Sequence, residues 1–427
     1  MNRNSSRFLI HTATRASVIA AVALVGAAAP AHASVYLQTD LTTDDNTFLT
    51  SLGYPAAANV DPNLVNPWGV SHSATSPFWV SDNNSPGGVA TLYTGAGVPL
   101  SLVVTIAPPA SPPPGFSVSA PTGQVRNGTT GFVVSQGVNS GPAAFIFATE
   151  DGTISGWNPT VNGTNSILKV DNSSNPTPTT GAVYKGLTIA ANGGSTFLYA
   201  ANFRAGTVEM YNSSFGLVKS FTDTSLPAVP AGTPAGQNWA PFNVQVLNGQ
   251  LYVSFALQNA TKHDDVAGAG NGFVDVFDLN GNFVNRLIKT GPGDPLDSPW
   301  GLDIAPPSFG AFANDLLVGN FGSDPGTNSI NAFDPNTGAF LGALTDATGN
   351  PIEIGDLWAL ANGNGGPAPS GSDPNAVYFT AGVQNEIHGL FGDLTVVPEP
   401  GSLILLATGL TGLMWFRRRR GGSVPHV

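Results

Sequence analysis

Lys262, His263, Asp264 and Asp265 stand in a row, and a Gly-Ala-Gly-Asn-Gly run follows at 268–272. An imidazole beside two carboxylates suits a metal ion or a general base. The glycines give the backbone freedom to fold over a neighbouring opening. The spacing is not that of an EF-hand. Counting from Asp264, the third and fifth places hold Val266 and Gly268, which carry no side-chain oxygen, and the sixth is Ala269 instead of Gly. Asn243 and Asp303 sit on apolar runs and are further oxygen donors. Asp82 and Asn83, Glu150 and Asp151, Asn202 and Arg204, Gln258 and Asn259, Asn320, and Gln384 and Asn385 recur in polar turns. Such donors suit Ca²⁺, with Asp264, Asp265 and Asp303 the candidate ligands, and they equally suit the hydroxyls of a sugar. Turns also favour Asp and Asn for backbone reasons. The chain has no cysteine, so thiol catalysis and Cys-based metal sites are excluded. It shows no Gly-x-Ser-x-Gly elbow, His-Glu-x-x-His pair or phosphate loop.

These residues must be positioned by a repeat. Six copies open with a short strand whose first residues tend to be aromatic, Gly, apolar: Trp68-Gly69-Val70, Thr122-Gly123-Gln124, Lys185-Gly186-Leu187, Phe242-Asn243-Val244, Trp300-Gly301-Leu302 and Trp358-Ala359-Leu360. The openings recur every 54 to 63 residues, about the length of one four-stranded unit. Each is followed by a second apolar run, such as Phe78-Trp79-Val80-Ser81 or Leu251-Tyr252-Val253-Ser254. A polar turn leads to a third strand that ends in an aromatic: 89–93, 153–157, 207–211, 273–277, 329–333 and 386–391. Runs at 100–106, 217–221, 283–288 and 340–344 complete most copies. Runs rich in aromatic and β-branched residues suit strands buried on both faces. Gly (52), Pro (35) and only 10% charged residues rule out a helical bundle, and 41% apolar residues rule out disorder.

The pattern predicts an all-β, six-bladed β-propeller of four-stranded blades. Its repeated aromatics should wedge between blades, and residues 36–43 should close the last blade beside 390–396. The strand order resembles NHL-type propellers, in which the first strand lines the central channel. Residues 36–395 also resemble an uncharacterised family of exported bacterial propeller proteins. That likeness is carried by Asn66-Pro67-Trp68-Gly69, Asp82-Asn83-Asn84 with Thr91-Leu92-Tyr93, Ala240-Pro241-Phe242-Asn243, and 262–272. Some six-bladed propellers are Ca²⁺-dependent lactonases with Glu, Asn and Asp ligands in the channel. Asn243 and Asp303 lie on first strands where such ligands could stand, but a first-strand Glu is not evident and the equivalents of 243 are mostly Gly.

Both ends are addresses. Arg3, Arg7 and Arg15 precede an apolar run at 18–29 and the small-x-small site Ala31-His32-Ala33, so residues 1–33 read as a signal peptide. At the other end come Val397, Pro398, Glu399, Pro400 and Gly401, an apolar run at 402–416, and Arg417, Arg418, Arg419 and Arg420. The order resembles the PEP-CTERM sorting signal of Gram-negative bacteria, which implies processing by an exosortase. A run of about 15 residues is short of the ~20 that span a bilayer comfortably. That suits a transient hydrophobic anchor helix whose arginines stay cytoplasmic.

The expected organisation is therefore signal peptide 1–33, propeller 34–396, sorting segment 397–420 and cytoplasmic tail 421–427. Without the two signals, 26 acidic residues face 8 basic ones, an excess of 18 negative charges. Such a surface repels nucleic acid and anionic lipid, and the membrane enters only through the C-terminal segment. Two functions are compatible with these features. One is a binding or scaffold module of the cell envelope or its exopolysaccharide matrix, with a polysaccharide or matrix protein as partner. The other is a Ca²⁺-dependent lactonase or hydrolase at the channel mouth.

Overall fold

The computed structural model describes residues 34–398, apart from 84–87, 112–118, 176, 178, 292, 323–326 and 328. The expected signal peptide, Asn84, Glu399, Pro400 and Arg417 to Arg420 lie outside the described residues. Six antiparallel sheets each begin with one of the six openings: Pro67–Ser71, Pro121–Arg126, Tyr184–Asn192, Trp239–Leu247, Pro299–Ile304 and Leu357–Asn362. Blades one to five are four-stranded in simple up-and-down order. The protein is a six-bladed β-propeller.

The sixth blade is closed from the other end of the chain. Val35–Thr43 pairs antiparallel with Leu390–Val397, from Val35 opposite Val397 to Thr43 opposite Leu390. Asn59–Val60 then adds a fifth, parallel strand. Chain ends paired in one sheet leave no open seam in the ring. The clasp continues past the strand: Thr43 Oγ1 donates to the Gly389 carbonyl, His388 Nδ1 lies 2.7 Å from Asp44 Oδ2, and the His388 ring stacks on Phe48.

The repeated glycine has a packing cause. A Cβ on Gly69 would come 2.6 Å from the Thr122 carbonyl oxygen and 2.9 Å from the Gln124 nitrogen, both on the next blade's first strand. Only a residue without a Cβ lets the innermost strands approach this closely around the axis. Asn243 takes the equivalent place in blade four. It bridges instead, donating from Nδ2 to the Trp300 carbonyl at 2.6 Å and accepting from the Val244 N–H at 2.8 Å.

Three features depart from the sequence reading. The repeated aromatics pack between neighbouring blades, as Tyr93 does on Phe391, but the opening ones also reach across the axis. Trp68 of blade one meets Trp300 of blade five and stacks on Trp358 of blade six, and Phe242 of blade four also meets Trp358. Contacts between blades that are not neighbours exist only across the axis, so these rings plug the channel at the end where the first strands begin. The third strand of blade six was expected at 386–391 but runs over Leu390–Val397. The residues before it turn sharply, with Gln384, Asn385 and Glu386 all at positive φ, which no strand tolerates. Blade two carries an extra hairpin, Val133–Gln136 with Asn139–Pro142, and a short helix, Asn46–Ser51, follows the closing strand.

Candidate functional site

The plugged end of the channel carries a ring of equivalent positions. The residue just after each second strand sends its N–H back to the carbonyl in front of its own first strand. Asn83 bonds Asn66, Glu150 bonds Ala120, Phe203 bonds Val183, Phe321 bonds Ser298 and Gly382 bonds Asp356. Gln258 bonds Asn238 in the same way, so the repeat sets one position per blade around the mouth, five of them bearing a side chain and the sixth being Gly382. One layer deeper lie Trp68, Thr122, Lys185, Phe242, Trp300 and Trp358, all buried. Five of the six are uncharged, and the sixth is the Lys185 ammonium.

Lys185 is only 2% exposed and lies at the centre of the site. Its Nζ pairs with Glu150 Oε1, lies 3.5 Å from Asp264 Oδ1, and stands 4.9 Å above the Trp68 ring. Asn83 Nδ2 donates to the other Glu150 oxygen at 3.0 Å. His263 Nδ1 lies 2.7 Å from Asp264 Oδ1. On the far side, Asn66 donates from Nδ2 to Glu386 Oε2 at 2.6 Å and accepts the Trp358 indole N–H at 2.9 Å. Three consecutive left-handed residues, Gln384 to Glu386, bring Glu386 to this place. Such a run is costly for residues other than Gly, and strain of this kind collects at functional sites.

The electrostatics follow from burial and from these partners. Burial alone would lower the Lys185 pKa, but Glu150 and Asp264 outweigh it and hold the ammonium charged. Burial pushes against ionisation of Asp264, yet the His263 hydrogen bond and Lys185 win and hold its carboxyl well below the usual range. Glu386 goes the other way: burial, reinforced by the Glu150 charge, raises it to about 7. Burial likewise raises Asp265 and Asp151 to about 6, the latter against a hydrogen bond from the Ala120 N–H. The mouth therefore holds one fixed cation, an ionised Asp264 and three carboxyls that titrate near neutrality.

The sequence-derived candidates divide into two groups. His263, Asp264, Asp265 and Asn83 stand at the mouth. Single ligand atoms of Glu150, His263 and Asp264 lie within 4.8 Å of one another, the span of a metal-binding group. Asn243 belongs to the channel wall, with its amide bonded across blades. Asp303 is three residues beyond Trp300, about 10 Å further along the strand. There it accepts the Ile304 and Asn362 backbone N–H groups at 2.8 Å each, and burial raises it to about 7. It does not share a site with Asp264. Asp82, Asn202 and Asn320 end second strands and fasten loops. Asp82 accepts the Thr91 hydroxyl, Asn202 donates to Glu209, and Asn320 donates to the Pro295 carbonyl. Lys185, Asn66 and Glu386 were not singled out as site residues from sequence. The available signal for Lys185 is a cation at the place where four of the other five copies carry an aromatic.

Fold and C-terminal motif define the class: a six-bladed propeller bearing a sorting address. Residues 396–420 match the PEP-CTERM protein-sorting motif. That motif marks a protein for export and for processing at the membrane by an exosortase. The chain belongs to the same family as two uncharacterized proteins of Acanthamoeba polyphaga mimivirus. R648 is 30% identical over 81% of this chain and 79% of its own length, and L690 is 31% identical over 79% and 82%. Solved structures similar to it include virginiamycin B lyase from Staphylococcus aureus, at 10% identity and a TM-score of 0.44 over 85% of this chain and 99% of that one. A luciferin-regenerating enzyme is similar at 13% identity and a TM-score of 0.44, over 79% and 94%. Among the described residues, no helix is long and apolar enough to cross a membrane.

Proposed function

We propose that the protein is a surface-directed binding module of the cell envelope or its exopolysaccharide matrix, and that it takes a hydroxyl-rich ligand at the channel mouth. The observation that carries this reading is the place of the Lys185 ammonium. It occupies the point between Glu150 and Asp264 where a bridging metal ion would sit. A divalent cation there must first displace a buried, paired lysine. What remains accessible is a set of acceptors and donors suited to hydroxyl groups: the Asp264 carboxylate, 57% exposed, the His263 imidazole and the partly buried Glu386. The purified mature protein should bind polysaccharide from its own envelope in calorimetry, and Asp264→Ala with Glu386→Gln should weaken that binding. A mature protein that binds no envelope polysaccharide or matrix protein sinks this reading.

A second reading, a metal-dependent lactonase or hydrolase, is favoured by the grouping of Glu150, His263 and Asp264. Such a site would hold Ca²⁺ through oxygen donors at ~2.3–2.6 Å, and the ion would polarise a carbonyl. Metal analysis and melting with and without chelator separate the two readings. Bound Ca²⁺, with a Tm that falls on chelation, supports the hydrolase.

A further inference from the structure

The sorting motif begins inside the propeller. Its matched residues start at 396, while Val396 and Val397 still pair with Tyr36 and Val35 in the last sheet. Between Val397 and the apolar run at 402 stand four residues, which reach at most about 14 Å when fully extended. With that run held in the bilayer, any enzyme acting on 398–401 must work against the propeller surface beside Val397. That surface is unusually apolar. Leu37 is 55% exposed, Leu52 42% and Val397 37%. They border a cavity of about 550 Å³ whose walls include Tyr36, Tyr54 and Ile352, with Asp346 and Glu353 also lining it.

We propose that this rim is the docking surface for the membrane-embedded peptidase that processes the sorting segment. The short tether forces the contact, and the cavity offers an apolar socket flanked by carboxylates. It fits a partner that presents an apolar side chain with basic neighbours. The bilayer itself fits less well, because the mature chain carries 18 excess negative charges and anionic lipid is repelled.

The test uses the full chain, exported in a bacterium that carries the processing peptidase, with removal of the C-terminal segment followed by pulse-chase. Leu37→Glu with Leu52→Glu changes two exposed side chains, and processing should slow by about tenfold. Inserting twelve Gly/Ser residues between Val397 and Pro398 frees the motif from the rim and should restore processing in that same double variant. Purified variants should melt as the wild type does. Unchanged processing of the double variant overturns the proposal, and so does a linker that restores nothing in a variant of unchanged Tm. If the double variant instead loses binding to phosphatidylethanolamine–phosphatidylglycerol vesicles, the rim belongs to the bilayer. If it dissociates a dimer, the rim belongs to a second copy. Either result also overturns the proposal.

Discussion

The Lys185 ammonium is held against the Glu150 carboxylate from the neighbouring blade, over the indole face of Trp68. Blade one supplies the ring, blade two the anion and blade three the cation, so a single contact ties half the propeller together across its axis. Lys185 is 2% exposed and Glu150 12%. A pair this buried adds little net stability by itself, but losing one member strands the other in a poor solvent.

Lys185→Met should therefore destabilise the propeller by about 3–5 kcal/mol, because Glu150, Asp264 and Glu386 then face one another without a cation. Adding Glu150→Gln should return more than half of that loss, since fewer charges are left uncompensated. Urea unfolding of the two single variants and the double variant measures the coupling. Strictly additive losses would show that the pair is incidental. Lys185→Gln should also create a site at which Ca²⁺ binding becomes measurable by calorimetry, because the tethered cation no longer fills the space.

Asn66 joins backbone and site. It sits at φ +48° while its side chain accepts from the Trp358 indole and donates to Glu386. Asn66→Ala keeps the strained backbone but leaves a buried indole N–H without its partner, for a loss of about 2–4 kcal/mol. Asn66→Gly relieves the backbone while still losing both hydrogen bonds, so it should cost less than Asn66→Ala. Thermal and denaturant melts rank the two. Equal losses would mean that the positive φ carries no strain.

The fold was legible because the aromatic–Gly–apolar opening answers a local demand, close approach of the innermost strands, that puts Gly at this place in four of the six blades. The closing strand was legible for the same reason: residues 36–43 had a pattern that needed a partner and the last blade lacked a strand. The mouth was less legible. The 262–272 loop stood out by its length and charge, and His263 and Asp264 do reach the site. Lys185 was hidden in the repeat itself, aligned with Trp68, Trp300 and Trp358, because a residue can keep a repeat position while changing its chemistry. Glu386 was hidden by secondary structure. Its sequence context reads as the start of a strand, whereas a run of positive φ, which leaves no periodic trace in sequence, turns it inward. The distance between Asp303 and Asp264 depends on which end of a strand each occupies, and composition does not reveal this.

Glu386 gives the protein a testable pH dependence. Its ordinary value is 4.5, and burial with Glu150 nearby raises it to about 7 in the folded protein. Between these values the native state holds a proton that the unfolded chain has lost. This stability is fully present below about pH 4.5 and is lost as pH rises through about 7. Asp265, raised to about 6, adds in the same direction over a lower window. The Tm should fall from pH 5 to pH 8, and Glu386→Gln, which keeps the acceptor for Asn66, should flatten the decline. A variant with the wild-type slope would show that Glu386 does not titrate in this range.

The inter-blade glycine makes the sharpest steric prediction. Gly69→Ala places a methyl 2.6 Å from the Thr122 carbonyl oxygen and 2.9 Å from the Gln124 nitrogen. Both are backbone atoms in the tightest ring of the fold, so neither can rotate away. The blades must separate, at about 2–3 kcal/mol. Gly137 is the control: its φ is +60°, and a Cβ there meets nothing within 4 Å. Gly137→Ala should cost about 1–2 kcal/mol, from backbone strain alone. Denaturant melts should place Gly69→Ala below Gly137→Ala. The reverse order would mean that the first strands can part without loss, and that the glycine repeat reflects turn geometry and not the packing of the axis.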